Sequence, residues 1–124
     1  MGGDQVFGTW SAGDAEALLF AAARADHLDT VIKPALGSGR WVICDRFIDS
    51  TRVYQGALGH VDPTFIRALE RATIGELMPD LTFILDAPAE EGLARAKKRR
   101  GGDDVDRFEM EELAFHEGLR EAYR

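Results

Sequence analysis

Apolar and polar positions fall into two rhythms along this chain. From Ser11 to about residue 32 the apolar positions recur at helical spacing, with Leu18, Leu19, Ala22, Ala25 and Leu28 forming a stripe among further alanines. Ser11 followed three residues on by Asp14 predicts the start of that helix, with Asp14 and Glu16 favourable near its positive end. Pro34 predicts a kink or break, and Gly37 to Gly39 an end. The second rhythm is short apolar runs. Trp41-Val42-Ile43-Cys44, ending in Asp45-Arg46, and Leu81-Thr82-Phe83-Ile84-Leu85 both predict buried parallel strands.

Helices fill much of the rest. Asp62-Pro63 predicts a helix to about Gly75 carrying Phe65, Ile66, Leu69 and Ala72. Pro88 opens another, which runs into Lys97-Lys98-Arg99-Arg100. Gly101-Gly102-Asp103-Asp104 is a predicted loop, and a last helix is expected from about Phe108 to the end. Residues 1–13 are Gly-rich and without period, so they predict a loop. Strands alternating with helices predict an α/β fold around a parallel sheet. Two strands are few for such a sheet, and the last helix meets no cap before Arg124. Residues 1–124 are therefore expected to form a single partial domain, cut at both ends.

Composition narrows the classes. A chain of 124 residues, 45% hydrophobic and 30% charged, fits one globular domain or part of one. A formal charge of -7 argues against non-specific binding to a nucleic acid polymer or an acidic membrane. The single cysteine, Cys44, excludes an internal disulfide and fits a reducing compartment. No apolar run suits a bilayer and no signal-peptide pattern opens the chain, so the expected location is cytoplasmic.

Four clusters carry candidate chemistry. Asp45 and Arg46 close the first predicted strand, and ligands of parallel sheets bind beyond strand carboxyl ends. Arg46 could fork onto a phosphate while Asp45 orients it or holds a magnesium-bound water; a purely structural Asp–Arg pair is the alternative. Phe20 and Arg24 are four apart and share a helix face. They could stack on a base and bond its edge, or be a core ring and a solvated arginine. Thr51, Tyr54 and Gln55 would cluster on one helical turn, lining a base and sugar or merely forming a polar turn. From Arg95 to Arg100 five residues of six are basic, ahead of Gly101-Gly102. Such a run suits a lid that closes on a triphosphate; it also suits a helix C-terminus, whose dipole favours cations. His27 stands alone, and no metal-ligating set is expected. No G-x-x-x-x-G-K-[ST] loop, which would cradle ATP phosphates, occurs in these residues.

Taken in order, LLFAAARADH, DRFIDSTRVYQG, PDLTFILDAPAEEGLARA, a basic stretch and DRFE resemble bacterial thymidylate kinases over nearly the whole chain. The resemblance implies a three-layer, parallel-sheet P-loop kinase-like fold, here partial and lacking the first strands and the phosphate loop. It implies transfer of the ATP γ-phosphoryl group to dTMP, with Mg²⁺, giving dTDP for dTTP synthesis. Catalytic roles would fall to Asp45, Arg46, Arg99 and Arg100. Substrate contacts would come from Phe20, Arg24, Arg46, Thr51, Tyr54 and Gln55, and contacts to ATP from Arg95 and Arg99. A homodimer packed through the helix at 14–32 is also implied. Such kinases begin with a strand, a phosphate loop and a helix, all of which would precede this chain. The expectation is an acceptor half that does not turn over alone. Two rival expectations are a non-catalytic nucleotide-binding or dimerisation fragment, and a kinase for another nucleoside monophosphate or a deoxynucleoside.

Overall fold

The computed structural model describes residues 10–100 and 109–124. The predicted helix start at Ser11 is present. The Ser11 hydroxyl accepts from the Asp14 N–H at 3.1 Å, and the Ser11 N–H donates to the Asp14 carboxylate at 2.9 Å. This reciprocal capping satisfies two amides that a helix start otherwise leaves bare. Helix α1 runs Ala12–His27, passes through a π-helical turn at Leu28–Ile32, and continues as α2, Lys33–Gly37. Pro34 therefore does not break the run. It has no amide to give the Thr30 carbonyl and its ring would press on that oxygen; the wider π turn lies where this crowding falls. The stop comes at Gly39, whose φ of 77° is left-handed. There the Gly39 N–H donates to the Leu36 carbonyl and the Arg40 N–H to that of Ala35, a Schellman closure.

A second helical run starts as α3, Ile48–Thr51, and continues as a π-helical turn at Arg52–Ala57. Helix α4, Pro63–Thr73, follows; the Asp62 carboxylate accepts from the Thr64 N–H at 2.7 Å and Pro63 takes the first position. Gly59 closes the link between them. A Cβ there would lie 2.6 Å from the Gln55 carbonyl oxygen, so only glycine lets the backbone pass.

The chain divides into two compact units between Pro79 and Asp80. The first has two apolar clusters. Leu28, Ile32, Ile48 and Ile74 form one, with Val42, Phe47 and Leu77 packed on it; Ala17, Val61 and Ile66 form the other, with Phe65 and Leu69. The buried face of α1 and its extension is thus Ala17, Ala21, Leu28 and Ile32. This corrects the predicted stripe, of which only Leu28 is fully buried; Leu18 and Leu19 are exposed, Leu19 at 71%. In an alanine-rich helix the hydrophobic contrast between faces is small, and the side that can approach its neighbour most closely is the one that packs.

In the second unit α5, Ala89–Arg100, packs with α6, Glu109–Tyr123. The Pro88 carbonyl accepts from the Glu91 and Gly92 N–H groups, so the predicted start at Pro88 holds. Arg120 donates through Nε and Nη2 to the two oxygens of Asp86, at 2.5 and 2.9 Å. The predicted glycine-rich start at residues 1–9, the loop from Gly101 to Asp104, the DRFE segment from Asp106 and a helix start at Phe108 lie outside the described residues.

The strands are the main correction. Among the described residues none forms a β-ladder, at 41–44 or at 81–85. Trp41 is 98% exposed and Ile43 99%, and Phe83 and Leu85 are also exposed. A strand exists through the neighbour that takes its backbone hydrogen bonds. Neither segment has such a neighbour among the described residues, so apolar pattern alone does not make it a strand. The α/β sheet expected from the sequence is absent from the described part, which is helical. Among the described residues no helix is long and apolar enough to cross a membrane.

Two outcomes follow. Leu28→Ala should cost about 3 kcal/mol and Leu19→Ala less than about 0.5 kcal/mol, read by urea denaturation; the reverse order would overturn the assigned buried face of α1. The second concerns acid. The hydrogen bond from Arg120 holds the Asp86 carboxyl below the usual carboxylate range. A depressed folded-state value contributes stability above the unfolded carboxylate pKa, and that contribution is lost as pH falls through the folded value. Arg120→Met should therefore flatten the acid limb of unfolding followed at Tyr123; an unchanged limb would show that the pair carries no pH dependence.

Candidate functional site

The candidate chemistry of the first unit gathers where α1 meets the helical run 48–57. Ala17 and Ala21 are buried on α1, Ala17 against Val61 and Ile66. Two polar rungs cross the seam. Arg24 Nη2 donates to Thr51 Oγ1 at 2.7 Å and to the Phe47 carbonyl at 3.3 Å. Gln55 Nε2 donates to Glu16 Oε1 at 3.0 Å. The later residue of α1 meets the earlier residues of the second run, so the two run antiparallel.

Arg24 is half-buried, and its guanidinium lies 5.4 Å from the Phe47 ring centroid. Burial pushes its pKa down from the usual arginine value, while the charges of Glu70 and then Cys44 pull it up. Both of its hydrogen bonds leave from Nη2. Phe20, one turn earlier, keeps about half its surface exposed, so it is not the core ring of the alternative reading. Thr51 and Gln55 are buried and Tyr54 is half-buried between them in sequence. The single turn expected to cluster them exists, partly as π helix.

Arg46 has φ of 61°, a left-handed conformation that a non-glycine residue adopts at a cost. Its Nε donates to Ser50 Oγ at 3.0 Å and its guanidinium lies 4.7 Å from the Tyr54 ring centroid. No ion pair joins Arg46 to Asp45, which is exposed; the two are neighbours only in sequence. The simple structural Asp–Arg pair is therefore not formed.

Three contributors were not singled out from the sequence as site residues. Arg52 forks onto Glu70 with bonds of 2.8 and 2.9 Å and lies 3.6 Å from Asp49. The hydrogen bond to Glu70 raises the Arg52 pKa, against its desolvation. This fork fastens the π turn to α4. Glu16, seen only as a helix-start acid, is the acceptor of the second rung. Glu16 and Gln55 are 39 residues apart and Arg52 and Glu70 are 18 apart, so no local spacing could have paired them.

The basic run of the second unit lies on the last turns of α5. Arg95, Lys98 and Arg99 border one open concavity. Arg95 Nη2 bonds the Glu91 carboxylate at 3.2 Å, an i,i+4 pair, and Arg99 is exposed. Arg100 ends the helix; its side chain lies outside the described residues. Among the described residues no three His, Cys, Asp or Glu side chains gather as metal ligands.

The family model described as thymidylate kinase matches residues 9–124. The chain is 66% identical over 111 residues to a thymidylate kinase of Bradyrhizobium diazoefficiens, covering 90% of this chain and 49% of that protein. It is 67% identical over 111 residues to one of Nitrobacter winogradskyi, covering 90% and 48%. A Nitrobacter hamburgensis thymidylate kinase is 66% identical over 110 residues, covering 89% and 48%. The chain spans about half the length of the curated relatives it matches.

The left-handed Arg46 gives a clean stability test. Arg46→Gly and Arg46→Ala both remove the bond to Ser50 and the contact with Tyr54, but only glycine relieves the backbone. The glycine variant should be more stable than the alanine variant by about 1 kcal/mol, measured by denaturant midpoint. Equal stabilities would show that the backbone at residue 46 carries no strain.

Proposed function

The chain belongs to the thymidylate kinase family, and from that premise we propose that its first unit is the acceptor side of a nucleoside-monophosphate kinase, holding dTMP for phosphorylation by ATP to dTDP. The observation that carries this reading is the state of Arg24. A half-buried guanidinium is fixed by Nη2 alone, which leaves Nη1 and Nε as donors for the edge oxygens of thymine. Phe20, one turn away and half-exposed, would stack on the base. Thr51 and Gln55 would floor the pocket and Tyr54 would lie against the deoxyribose. Arg46 would grip the phosphate, giving up Ser50 for a charged, forked partner, and Asp45 would support that grip.

For the second unit we assign Arg99 and Arg100 to neutralising charge on the transferring phosphoryl group, and Arg95 and Arg99 to ATP phosphates. The guanidinium donors fit phosphate oxygens by chemistry. The described residues offer no acidic cluster fitting Mg²⁺. The 124 residues contain no G-x-x-x-x-G-K-[ST], so on their own they bind without turning over. Exposed Leu18, Leu19 and Val31 on the helical run from α1 are where a second copy would pack in a homodimer. A cytoplasmic location for the parent enzyme, supplying dTTP synthesis, completes the reading.

Calorimetry tests it directly. The chain should take dTMP more tightly than dUMP, UMP or dCMP, and Arg24→Ala should weaken dTMP at least about tenfold, the scale of a lost charged hydrogen bond. Equal affinity for dCMP would point to a different nucleotide kinase, and a stable dimer giving no heat with any nucleotide to an interaction fragment. A coupled assay with ATP should show no turnover by the 124-residue chain; sustained dTDP formation would sink the acceptor-side reading.

A further inference from the structure

Glu16 has no part in the roles assigned so far, yet its rung with Gln55 sits two turns from Arg24 on the same helix and one turn from Thr51 on the other. The two rungs differ in kind. The Arg24–Thr51 rung carries a charge that would meet the ligand. The Glu16–Gln55 rung crosses 39 residues of sequence at 3.0 Å and involves no group expected to touch the base through Glu16. Gln55 is 6% exposed, so its amide has little water to turn to.

An amide side chain offers donors at one end and an acceptor at the other. An acidic acceptor on α1 breaks that symmetry. While Glu16 is ionised it can only accept, so the Nε2 end of Gln55 must face α1 and the Oε1 end must face away. From this we infer that Glu16 is a positioning residue of the base pocket. It fixes which end of the Gln55 amide faces α1, and with it the spacing between the helix carrying Phe20 and Arg24 and the turn carrying Thr51 and Tyr54. The inference rests on the base-pocket reading above and deepens it.

The local arrangement gives this hold leverage. Ala17 follows Glu16 directly and is fully buried against Val61 and Ile66, so α1 cannot rotate Glu16 away without unseating that contact. On the other side the Gln55 backbone carbonyl accepts from the Val61 N–H at 3.0 Å, which pins the residue from below. Gln55 is therefore held at both its backbone and its side chain, and only the side-chain hold depends on an ionisable partner.

The test uses the 124-residue chain with Glu16→Ala and Glu16→Gln, read by the Gln55 side-chain amide signals in ¹⁵N spectra and by calorimetry with dTMP. In the unaltered chain the Gln55 amide signals should stand apart from those of free glutamine amides. Glu16→Ala should return them toward free values and weaken dTMP about fivefold, on the order of one net hydrogen bond. Glu16→Gln keeps an acceptor oxygen of the same reach but adds an amide donor that lets the Gln55 amide turn either way, so it should restore at most part of both, with no loss of helix content in either variant by circular dichroism. Unaltered dTMP affinity in Glu16→Ala, while the parent chain binds, overturns the positioning role and leaves the pocket reading standing. A Glu16→Gln variant that matches the unaltered chain in both readouts overturns the part given to an acceptor-only acid in fixing the Gln55 amide. A parent chain that takes no dTMP overturns the pocket reading itself, and the role of Glu16 in it.

Discussion

The first unit depends on the two polar rungs, Arg24 to Thr51 and Glu16 to Gln55, by which α1 meets the helical run 48–57. At this seam Arg24 is partly out of water. A half-buried guanidinium must find partners or destabilise the fold, and here it finds the Thr51 hydroxyl, the Phe47 carbonyl and the Phe47 ring. The half-buried charge thus ties together the residues around it.

The turn opposite is held in a similar way. Arg52 forks onto Glu70 from within the π-helical turn, and Gly59 lets the backbone fold back against the Gln55 carbonyl. Wider helical turns recur at functional sites, and this one carries Tyr54 and Gln55. Arg46, just upstream, adopts a conformation it would not choose freely, the kind of local strain that persists when surrounding contacts over-determine it. The turn is tied to α4 on one side and to α1 on the other, so its polar residues inherit positions set by both.

What could be read from the sequence was what neighbours in sequence decide. Ser11 with Asp14, Asp62 with Pro63, and Pro88 each mark a helix start because capping is settled within one turn. Pro34 misled because its effect was absorbed upstream by a π turn. The face of α1 was misassigned because alanines carry too little hydrophobic contrast to set a phase, and tertiary approach decided it. The apolar runs at 41–44 and 81–85 have strand composition, but a strand is a relation between segments, and the described residues supply no partner. Among the candidate site residues, Phe20, Arg24, Thr51, Tyr54 and Gln55 were suggested as a set only by family resemblance, since each cluster alone allowed a plain structural reading. Glu16 and Glu70 were invisible as partners because their bonds span the chain.

The bare segment at 41–44 has a spectroscopic consequence. The chain has two tryptophans, and they stand in different surroundings. Trp10 meets the Phe65 ring edge-on, with centroids 5.8 Å apart, while Trp41 is almost wholly in water. Indole emission moves to shorter wavelength as the ring leaves water. Trp41 is thus an intrinsic optical gauge of whether its segment has been taken up into a sheet, and Trp10 is the internal reference beside which that change would be seen.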